Sequence, residues 1–340
     1  MLFTIFSGLP MITDLIYEDA EYILKGLDCR PIDGATVFIT GVSGLIGTHF
    51  LSSLCLMKEA GLNIKVTGAV YSEPREHTRE IANRGDFTLC RGPWQQTADV
   101  IIHAACYSPP SMFTSAAVET IRVNTAGTQS LLDQVTPGGK FLFLSTSEVY
   151  SGLRGTVNES DIGTTTPFHP RACYIEGKRT GEALTSIYRL AGMDAKSARL
   201  SLAYGPGTRK HDSRALNIFV EKALTKNRID LQYAGGELRS YCYVADAVQT
   251  LWNVLLRGRH PVYNVGGHSL TTIGRMAKMV GEITGAEVTF PASDSTMEGA
   301  PEQVQVDLSR AEEEFGPQPG IGLREGLERT VAWQRELYAV

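Results

Sequence analysis

The chain has 340 residues, of which 43% are hydrophobic and 20% charged, so it is long enough for two lobes around a sizeable core. Its formal net charge of -5 gives no long-range attraction for nucleic acid or for an anionic membrane surface. An anionic ligand must therefore be held by a local cluster of donors in a pocket.

Neither the cysteines nor the N-terminus indicates a special environment. The six cysteines include no Cys-x-x-Cys pair and no Cys/His spacing suited to zinc, so we expect reduced thiols and no metal. The first twelve residues are fairly apolar, but no basic stretch precedes them, and a membrane span needs about 20 apolar residues. We expect a cytoplasmic protein without a membrane anchor and without a nucleic-acid partner.

The first 34 residues differ in pattern from the rest of the chain. Residues 13–27 repeat apolar side chains at helical spacing, and Pro31 and Gly34 then indicate a linker. We predict an N-terminal helical extension over residues 1–34, and we hypothesise that it packs on a neighbouring subunit.

Residues 35–201 have the pattern of a parallel sheet. Short buried-strand runs are separated by stretches long enough to hold a helix, which predicts parallel strands joined by right-handed crossovers. The four runs are TVFIT (36–40), KVTGAVY (65–71), DVIIHAA (99–105) and KFLFLST (140–146). We predict an α/β fold with a Rossmann-type doubly wound parallel sheet.

After residue 202 the pattern indicates a smaller mixed α/β lobe. A helix is predicted near 215–226, and amphipathic helices are predicted near 273–283 and 323–331. The predicted domains are the Rossmann domain 35–201, to which 239–262 returns, and the C-terminal substrate lobe 202–238 and 263–340.

A glycine-rich turn joins the first strand to the helix after it. In G-x-x-G-x-x-G the absent side chains let backbone amides and the helix dipole contact a pyrophosphate. Glycines at this spacing also occur in simple turns, but the position between strand and helix favours a dinucleotide. The predicted cofactor-binding residues of this turn are Gly41, Ser43, Gly44, Leu45, Ile46 and Gly47.

The end of the second strand leaves the choice of dinucleotide open. Val70, Tyr71 and Ser72 stand where an Asp or Glu usually binds the ribose hydroxyls of NAD. Arg75 is a candidate ligand for the 2'-phosphate of NADP, although we interpret it as a solvated loop arginine. We expect NAD on mechanistic grounds and keep NADP as the alternative.

Tyr174 and Lys178 are four residues apart on a predicted helix, so both project from one face. A tyrosine with an ordinary pKa of about 10 is a poor base at neutral pH, and a nearby ammonium is expected to lower that pKa. Thr146 ends the strand KFLFLST, at the edge where open α/β sheets bind ligands. Such a Tyr/Lys pair also arises by chance on solvated helices, and polar residues also cap strands. Together the three residues favour hydride-transfer chemistry.

The glycine turn, the Tyr-x-x-x-Lys pair and Asn124 in VNTAGT resemble the extended short-chain dehydrogenase/reductase family over residues 35–335. Within its nucleotide-sugar epimerase/dehydratase group, the local sequence is most similar to UDP-glucuronate decarboxylases, also called UDP-xylose synthases. The strings that carry this similarity are YSPPSMF (107–113), STSEVY (145–150), RACYIEGKR (171–179), GPGTRKHDSR (205–214) and LRSYCYVADAV (238–248).

The resemblance implies a homodimeric, NAD-dependent enzyme acting on a nucleotide-diphosphate sugar linked to UDP. Thr146, Tyr174 and Lys178 would form the oxidoreductive centre, with Ser147 and Glu148 near the sugar C5 and C6. The other residues implied to bind the cofactor are Ala104 and Asn124, and those implied to bind the substrate are Ser108, Pro109, Arg214 and Arg239. Arginines of this kind also occur in surface ion pairs, which contribute little stability.

The implied reaction is decarboxylation of UDP-glucuronate to UDP-xylose or a 4-keto pentose. Oxidation at C4 makes the sugar a β-keto acid, which loses its carboxylate, and the same NADH then returns the hydride to C4. Because the cofactor is regenerated in place, we expect it to be tightly held.

Three departures from the decarboxylase pattern leave other reactions open: Val70 at the ribose, Leu202 in place of an Asn, and Ile175 in place of an acid. An NDP-sugar 4-epimerase would use the same oxidation, and an NDP-sugar 4,6-dehydratase normally has an Asp at the position of Ser147. A non-catalytic dinucleotide-binding scaffold is the alternative from another class.

Two further residues with reactive side chains are interpreted as structural. His103, in DVIIHAA, is predicted to be a hydrogen-bonded core histidine beside the cofactor. Cys173 has no evident His/Asp partner and is predicted to be a small packed residue rather than a nucleophile.

Overall fold

The computed structural model describes residues 13–92, 94–291, 304–317 and 320–340. Residues 1–12 of the predicted extension and 292–303 and 318–319 of the predicted C-terminal lobe lie outside these ranges. The helices are α1 (Asp14–Leu24), α2 (Leu45–Glu59), α3 (Glu76–Gly85), α4 (Pro110–Ser115), α5 (Ala117–Arg122), α6 (Thr128–Leu132), α7 (Ala172–Leu190), α8 (Ala215–Lys226), α9 (Val244–Arg257), α10 (Ile273–Thr284), α11 (Ser309–Phe315) and α12 (Leu323–Tyr338). The strands are β1 (Thr36–Thr40), β2 (Lys65–Ala69), β3 (Thr88–Cys90), β4 (Ala98–His103), β5 (Val135–Thr146), β6 (Gly155–Val157), β7 (Asp194–Leu200), β8 (Leu202–Tyr204), β9 (Arg228–Asp230), β10 (Leu238–Tyr243), β11 (Val262–Val265), β12 (Ser269–Thr272), β13 (Glu287–Thr289) and β14 (Val304–Val306).

Seven parallel strands form the central sheet, in the order β3-β2-β1-β4-β5-β7-β11. The order of the first six is that of doubly wound dinucleotide-binding folds. The inner strands are continuous apolar runs because helices cover both faces of the sheet, and four of the five residues of β1 are buried. The structure therefore confirms the predicted Rossmann-type fold class.

A smaller group of strands forms the second lobe. Its three-stranded sheet has the order β12-β10-β8, with β10 parallel to β8 and antiparallel to β12. Strand β14, near the C-terminus, pairs with β6, which follows the active-site strand β5. The chain returns to the central sheet at β11, which pairs with β7. The two lobes are thus joined at several points, and the exact domain boundaries stay a prediction.

Helix α1 packs on its own chain, against α2 and α9. Its side chains Ile16, Ala20 and Ile23 are fully buried in the main hydrophobic core. Asp19 on the same face is also buried. The apolar face of this helix is therefore covered within the chain, and packing of the extension on a neighbouring subunit stays a hypothesis.

All six cysteines lie within the described ranges and are free thiols, as the sequence predicts. In the same ranges there is no group of three or more acidic, His or Cys side chains suited to a metal ion. No helix in the described part of the chain is long and apolar enough to cross a membrane.

Candidate active site

The glycine turn between β1 and α2 leaves room for a phosphate because side chains are sterically excluded from it. Gly41 has a φ of +75°, and a Cβ there would lie 2.8 Å from the Ala105 Cα. A Cβ on Gly47 would lie 2.2 Å from the Gly41 carbonyl oxygen. The Ser43 hydroxyl is buried without a hydrogen-bond partner, at the start of the 15-residue helix α2. A pyrophosphate fits this cradle, because it would accept from the helix N-terminal amides and the Ser43 hydroxyl.

The end of β2 has no acid where the ribose would lie. Val70 is buried, while Tyr71 is 87% exposed and makes an edge contact with Tyr107 at a centroid distance of 5.8 Å. Arg75 donates from Nη1 to the Gly207 carbonyl at 2.9 Å, and burial lowers the pKa of Arg75 to about 10. The interpretation of Arg75 as a solvated loop residue is therefore wrong, since it connects this edge to the loop after β8.

Helix α7 brings Tyr174 and Lys178 to the end of β5. Both side chains are buried, and the Lys178 Nζ donates to the Leu144 carbonyl at 2.6 Å. The close packing depends on Gly181, where a Cβ would lie 2.3 Å from the Phe143 ring. These two contacts fix the helix and the strand relative to each other next to the reactive groups.

The hydroxyl of Thr146 lies close enough to that of Tyr174 to act on it, and this interaction lowers the pKa of Tyr174. Thr146 ends β5, and its Oγ1 accepts from the Glu148 backbone amide at 3.2 Å. This contact caps the 3-10 turn Ser147–Tyr150. The Tyr174 ring stacks on Phe113 with a centroid distance of 4.5 Å and an interplanar angle of 7°. A substrate hydroxyl placed between Thr146 and Tyr174 would contact both.

The charges in the centre are set mainly by burial. Burial raises the pKa of the Tyr174 phenol well above its ordinary value and lowers the pKa of Lys178. The interaction with Thr146 acts in the opposite direction on Tyr174 but is a smaller effect. The expected lowering of the Tyr174 pKa by Lys178 is therefore wrong for this state, in which the ammonium donates to Leu144.

Glu148 and Arg171 form an ion pair beside this centre. The Arg171 Nη2 donates to Glu148 Oε1 at 2.6 Å, and each side chain is 23% exposed. Burial raises the pKa of Glu148, although the charge of Arg171 and its hydrogen bond oppose this, as do His169 and Arg239. The carboxylate thus has positive groups on several sides.

Asn124 lies in a π-helical turn, Val123–Gly127, between α5 and α6. Such turns insert one extra residue into a helix and often occur at functional sites. The Asn124 Nδ2 donates to the Thr120 carbonyl at 2.8 Å and to Cys106 Sγ at 3.4 Å, while its Oδ1 is buried without a partner. Cys106 also raises the pKa of Lys178, so the thiol lies near both predicted cofactor-binding side chains.

The remaining predicted residues differ in their position relative to the site. The Ala104 amide donates to the Thr40 carbonyl at 3.2 Å, at the end of β4 near the glycine turn. Arg239, on β10, is close enough for its charge to act on Glu148. Arg214 is instead bound to Asp212, with Nη2 to Oδ2 at 2.6 Å and Nε to Oδ1 at 2.8 Å.

The segment with Ser108 and Pro109 precedes helix α4 and positions it. Ser108 is exposed and Pro109 is buried. The Pro109 carbonyl accepts from the Met112 and Phe113 amides at 2.9 and 3.1 Å, which starts α4. Helix α4 in turn places Phe113 on Tyr174. This segment therefore shapes the wall of the centre.

Arg171, Phe113 and Cys106 were not singled out from the sequence, although each lies in the site. Arg171 and Phe113 occur within RACYIEGKR and YSPPSMF, so the resemblance contained a signal for both. Cys106 directly precedes the second string and showed no pattern of its own.

The two residues interpreted as structural have that character here. His103 is buried, with Nδ1 2.7 Å from Thr40 Oγ1 and Nε2 3.2 Å from the Val123 carbonyl oxygen. The Cys173 thiol donates to the Phe113 carbonyl at 3.4 Å.

The fold is that of Rossmann-type dinucleotide-binding proteins, and the structure brings Thr146, Tyr174 and Lys178 together at the carboxyl end of β5. Residues 37–266 match the NAD dependent epimerase/dehydratase family, and the chain belongs to this family. The chain is similar to UDP-glucuronic acid decarboxylase 6 of Arabidopsis thaliana, with 31% identity over 298 residues that cover 86% of each chain.

Two solved structures illustrate the shared fold. One is the dTDP-glucose 4,6-dehydratase DesIV of Streptomyces venezuelae with NAD and TYD bound, at a TM-score of 0.75 and 24% identity, covering 89% of this chain and 98% of that one. The other is MoeE5 in complex with UDP-glucuronic acid and NAD, at a TM-score of 0.71 and 22% identity, covering 88% of this chain and 99% of that one.

Proposed function

We propose that this protein oxidises C4 of a UDP-linked uronate with tightly bound NAD and removes the C6 carboxylate, giving UDP-xylose or a 4-keto pentose. The observation that carries the proposal is the partly buried Glu148–Arg171 ion pair, whose two charges both act on Tyr174. The Arg171 guanidinium, which can bind a carboxylate, thus lies next to the hydroxyls that we assign to the oxidation of C4. The similarity to UDP-glucuronic acid decarboxylases supports the same reaction.

The residues that would hold the cofactor run along the carboxyl ends of β1 and β4. The glycine turn and Ser43 would bind the pyrophosphate, and Asn124 and Lys178 would position the nicotinamide end. NAD supplies the hydride acceptor at C4, and in its oxidised form a positive charge that favours the Tyr174 phenolate. Because burial raises the pKa of Tyr174, the phenolate would need that positive charge for its stabilisation.

Tyr174 accepts the proton of the C4 hydroxyl as the hydride leaves C4. Thr146, whose hydroxyl lies close to that of Tyr174, holds the same substrate hydroxyl. The product of this step is a 4-ketone, and with a C6 carboxylate it is a β-keto acid. The C5–C6 bond then breaks, carbon dioxide leaves, and the electron pair moves into the ketone.

Ser147 and Glu148 lie on the turn that follows Thr146, and we assign them to C5 and C6. Their task would be to help deliver a proton from solvent to C5, which takes the place of the carboxylate that leaves as carbon dioxide. Return of the hydride to C4, with return of the proton by Tyr174, gives the pentose and restores the starting state. Release before that step would give the 4-keto pentose and would leave the bound cofactor in its reduced form.

The family's other reactions are outcomes of the same test. A 4,6-dehydratase lacks an obvious acid here, because Ser147 occupies the position at which those enzymes have an Asp. A 4-epimerase would need no group at C6. A dinucleotide-binding scaffold would need no base, whereas Thr146, Tyr174 and Lys178 are all in place.

The test is incubation of the purified protein with UDP-glucuronate, UDP-glucose or UDP-galactose, followed by NMR of the products and assay of carbon dioxide. We expect loss of C6 from the uronate alone. A change of configuration at C4 only would establish the epimerase, and loss of water from UDP-glucose the dehydratase. Bound NAD without turnover of any substrate would favour the scaffold.

Tyr174→Phe is the matched control for this experiment. It removes the proton acceptor and leaves the stacked ring on Phe113, so turnover should fall by roughly 10²–10⁴-fold while NAD binding persists. Undiminished turnover in this variant would contradict the assignment of Tyr174.

A further inference from the structure

We propose that Arg171 is the residue that selects an acidic sugar, by binding the C6 carboxylate of the substrate while Glu148 holds the guanidinium in place. The inference rests on the proposed function and assigns a specificity-determining role to a residue outside the Tyr/Lys motif. The recognised chemistry is a uronate carboxylate on a nucleotide-diphosphate sugar.

The first argument is that the pair between Arg171 and Glu148 is incomplete. Only Nη2 of Arg171 donates to Glu148, and only Oε1 accepts. The Arg171 Nε and the Glu148 Oε2 are both buried without hydrogen-bond partners. Leaving a buried donor on a charged group unsatisfied is costly, so a second acceptor at Nε is expected when the site is in use.

The second argument is the balance of charge around Glu148. Arg171, His169 and Arg239 all act to stabilise its carboxylate. The charges of two arginines, Arg171 and Arg239, therefore act on this one carboxylate in a partly buried site. An anionic ligand group restores the balance, whereas a neutral hydroxymethyl group does not.

The third argument is the position of the guanidinium relative to the reacting groups. The Arg171 Cζ lies 5.3 Å from the centroid of the Phe113 ring, which also stacks on the parallel Tyr174 ring. The Arg171 backbone carbonyl accepts from the Tyr174 amide at 3.0 Å, one turn away at the start of α7. The Phe113 ring and the first turn of α7 therefore hold the charge and the base close to each other.

The experiment measures binding, so that turnover does not enter. All proteins carry Tyr174→Phe and are loaded with NAD, and UDP-glucuronate and UDP-xylose are titrated by calorimetry. Arg171→Gln should weaken UDP-glucuronate by roughly ten- to a hundredfold, as expected for loss of a charge-assisted hydrogen bond. UDP-xylose, which has no C6, should bind with unchanged affinity. Equal loss of both ligands would overturn the proposal, because it would indicate a purely structural role.

A second variant separates direct binding from repulsion by an unpaired Glu148. In the combined variant Glu148→Gln, Arg171→Gln no glutamate charge is left to repel the uronate. If Arg171 contacts the carboxylate, UDP-glucuronate binds the combined variant more weakly than Glu148→Gln alone. Equal affinity of these two proteins would overturn direct recognition.

Arg189→Gln is the control on the same helix. Arg189 also faces a carboxylate, with Nη1 3.6 Å from Asp194 Oδ1, but at the opposite end of α7. It should change neither affinity. The inference and the proposed function can fail separately. If the enzyme decarboxylates the uronate and Arg171→Gln has no effect, only the inference about Arg171 is contradicted. If the protein turns over a neutral nucleotide sugar in preference to the uronate, both the inference and the proposed function are contradicted.

Discussion

Burial shifts three ionisable side chains of the active site against their charged forms. The pKa values of Tyr174 and Glu148 are raised and that of Lys178 is lowered, and desolvation is the largest cause in each case. Groups with such shifts cluster at functional sites because catalysis needs charges that appear only with the ligand. Of the three, the raised pKa of Glu148 is the shift that costs stability at neutral pH, because its charged form is disfavoured in the folded protein.

The cost can be measured at Glu148. Its pKa in the folded protein is raised above the ordinary 4.5, so the stability it contributes is full below pH 4.5 and is lost as pH rises through the folded value. Glutamine resembles the protonated form at all pH values. Glu148→Gln should therefore be more stable than the parent protein at pH 7, with the difference disappearing toward pH 4.5. Urea unfolding at both pH values checks this, and a less stable variant at pH 7 would contradict it.

At the scale of elements, the long periodic segments were predictable and the short ones were not. The strands β1, β2, β4 and β5 and the helix α8 lie where their patterns place them, because both faces of a parallel sheet demand apolar residues. Strand β3 has only three residues, too few for a period. The π-helical turn at Asn124 follows from tertiary packing against α7, which no local pattern encodes.

The glycine turn offers a test at this scale. A Cβ on Gly47 would lie 2.2 Å from the Gly41 carbonyl oxygen and 2.7 Å from the Val42 Cα, so the backbone of the turn must move. Gly47→Ala should lose most NAD affinity in a fluorescence titration. Gly236→Ala is the control, since nothing lies within 4 Å of a Cβ there. Normal NAD affinity of Gly47→Ala would contradict the pyrophosphate assignment.

Helix α1 provides a second test through Asp19. The buried Asp19 carboxylate accepts from Tyr243 Oη at 3.0 Å and from Arg329 Nη2 at 2.9 Å, and lies 3.2 Å from His49 Nε2. Removing one partner of a buried pair typically costs about 3–5 kcal/mol. Asp19→Ala should lose stability of that order in urea unfolding. Glu21→Ala, exposed on the same helix, should change it little.

At the scale of the whole molecule, contacts between distant parts of the chain tie the lobes together. Asp19 connects α1 to α2 and, through Arg329, to α12 at the other end of the chain. Arg75 connects the edge of the central sheet to Gly207. These contacts join residues separated by up to 310 positions. Such pairings are invisible to local periodicity, so the sequence predicted the existence of α1 but not its packing.

Two buried histidines make the stability of the whole fold sensitive to acid. Burial lowers the pKa of His77 and of His103 to about 3, from an ordinary 6.5. Both are neutral in the folded protein, and the unfolded chain binds their protons first. Their contribution to stability is therefore full above pH 6.5 and is lost as pH falls from 6.5 toward 3.

Within that window, each such histidine lowers the free energy of unfolding by up to about 1.4 kcal/mol for each unit by which the pH falls. Urea unfolding between pH 7 and pH 4 should show this loss, and His77→Gln should reduce its slope by one proton's share because glutamine does not titrate. His268→Gln is the control, since His268 is 69% exposed and paired with Glu312 at the surface. An identical slope in the parent protein and in His77→Gln would show that His77 is already protonated in the folded protein.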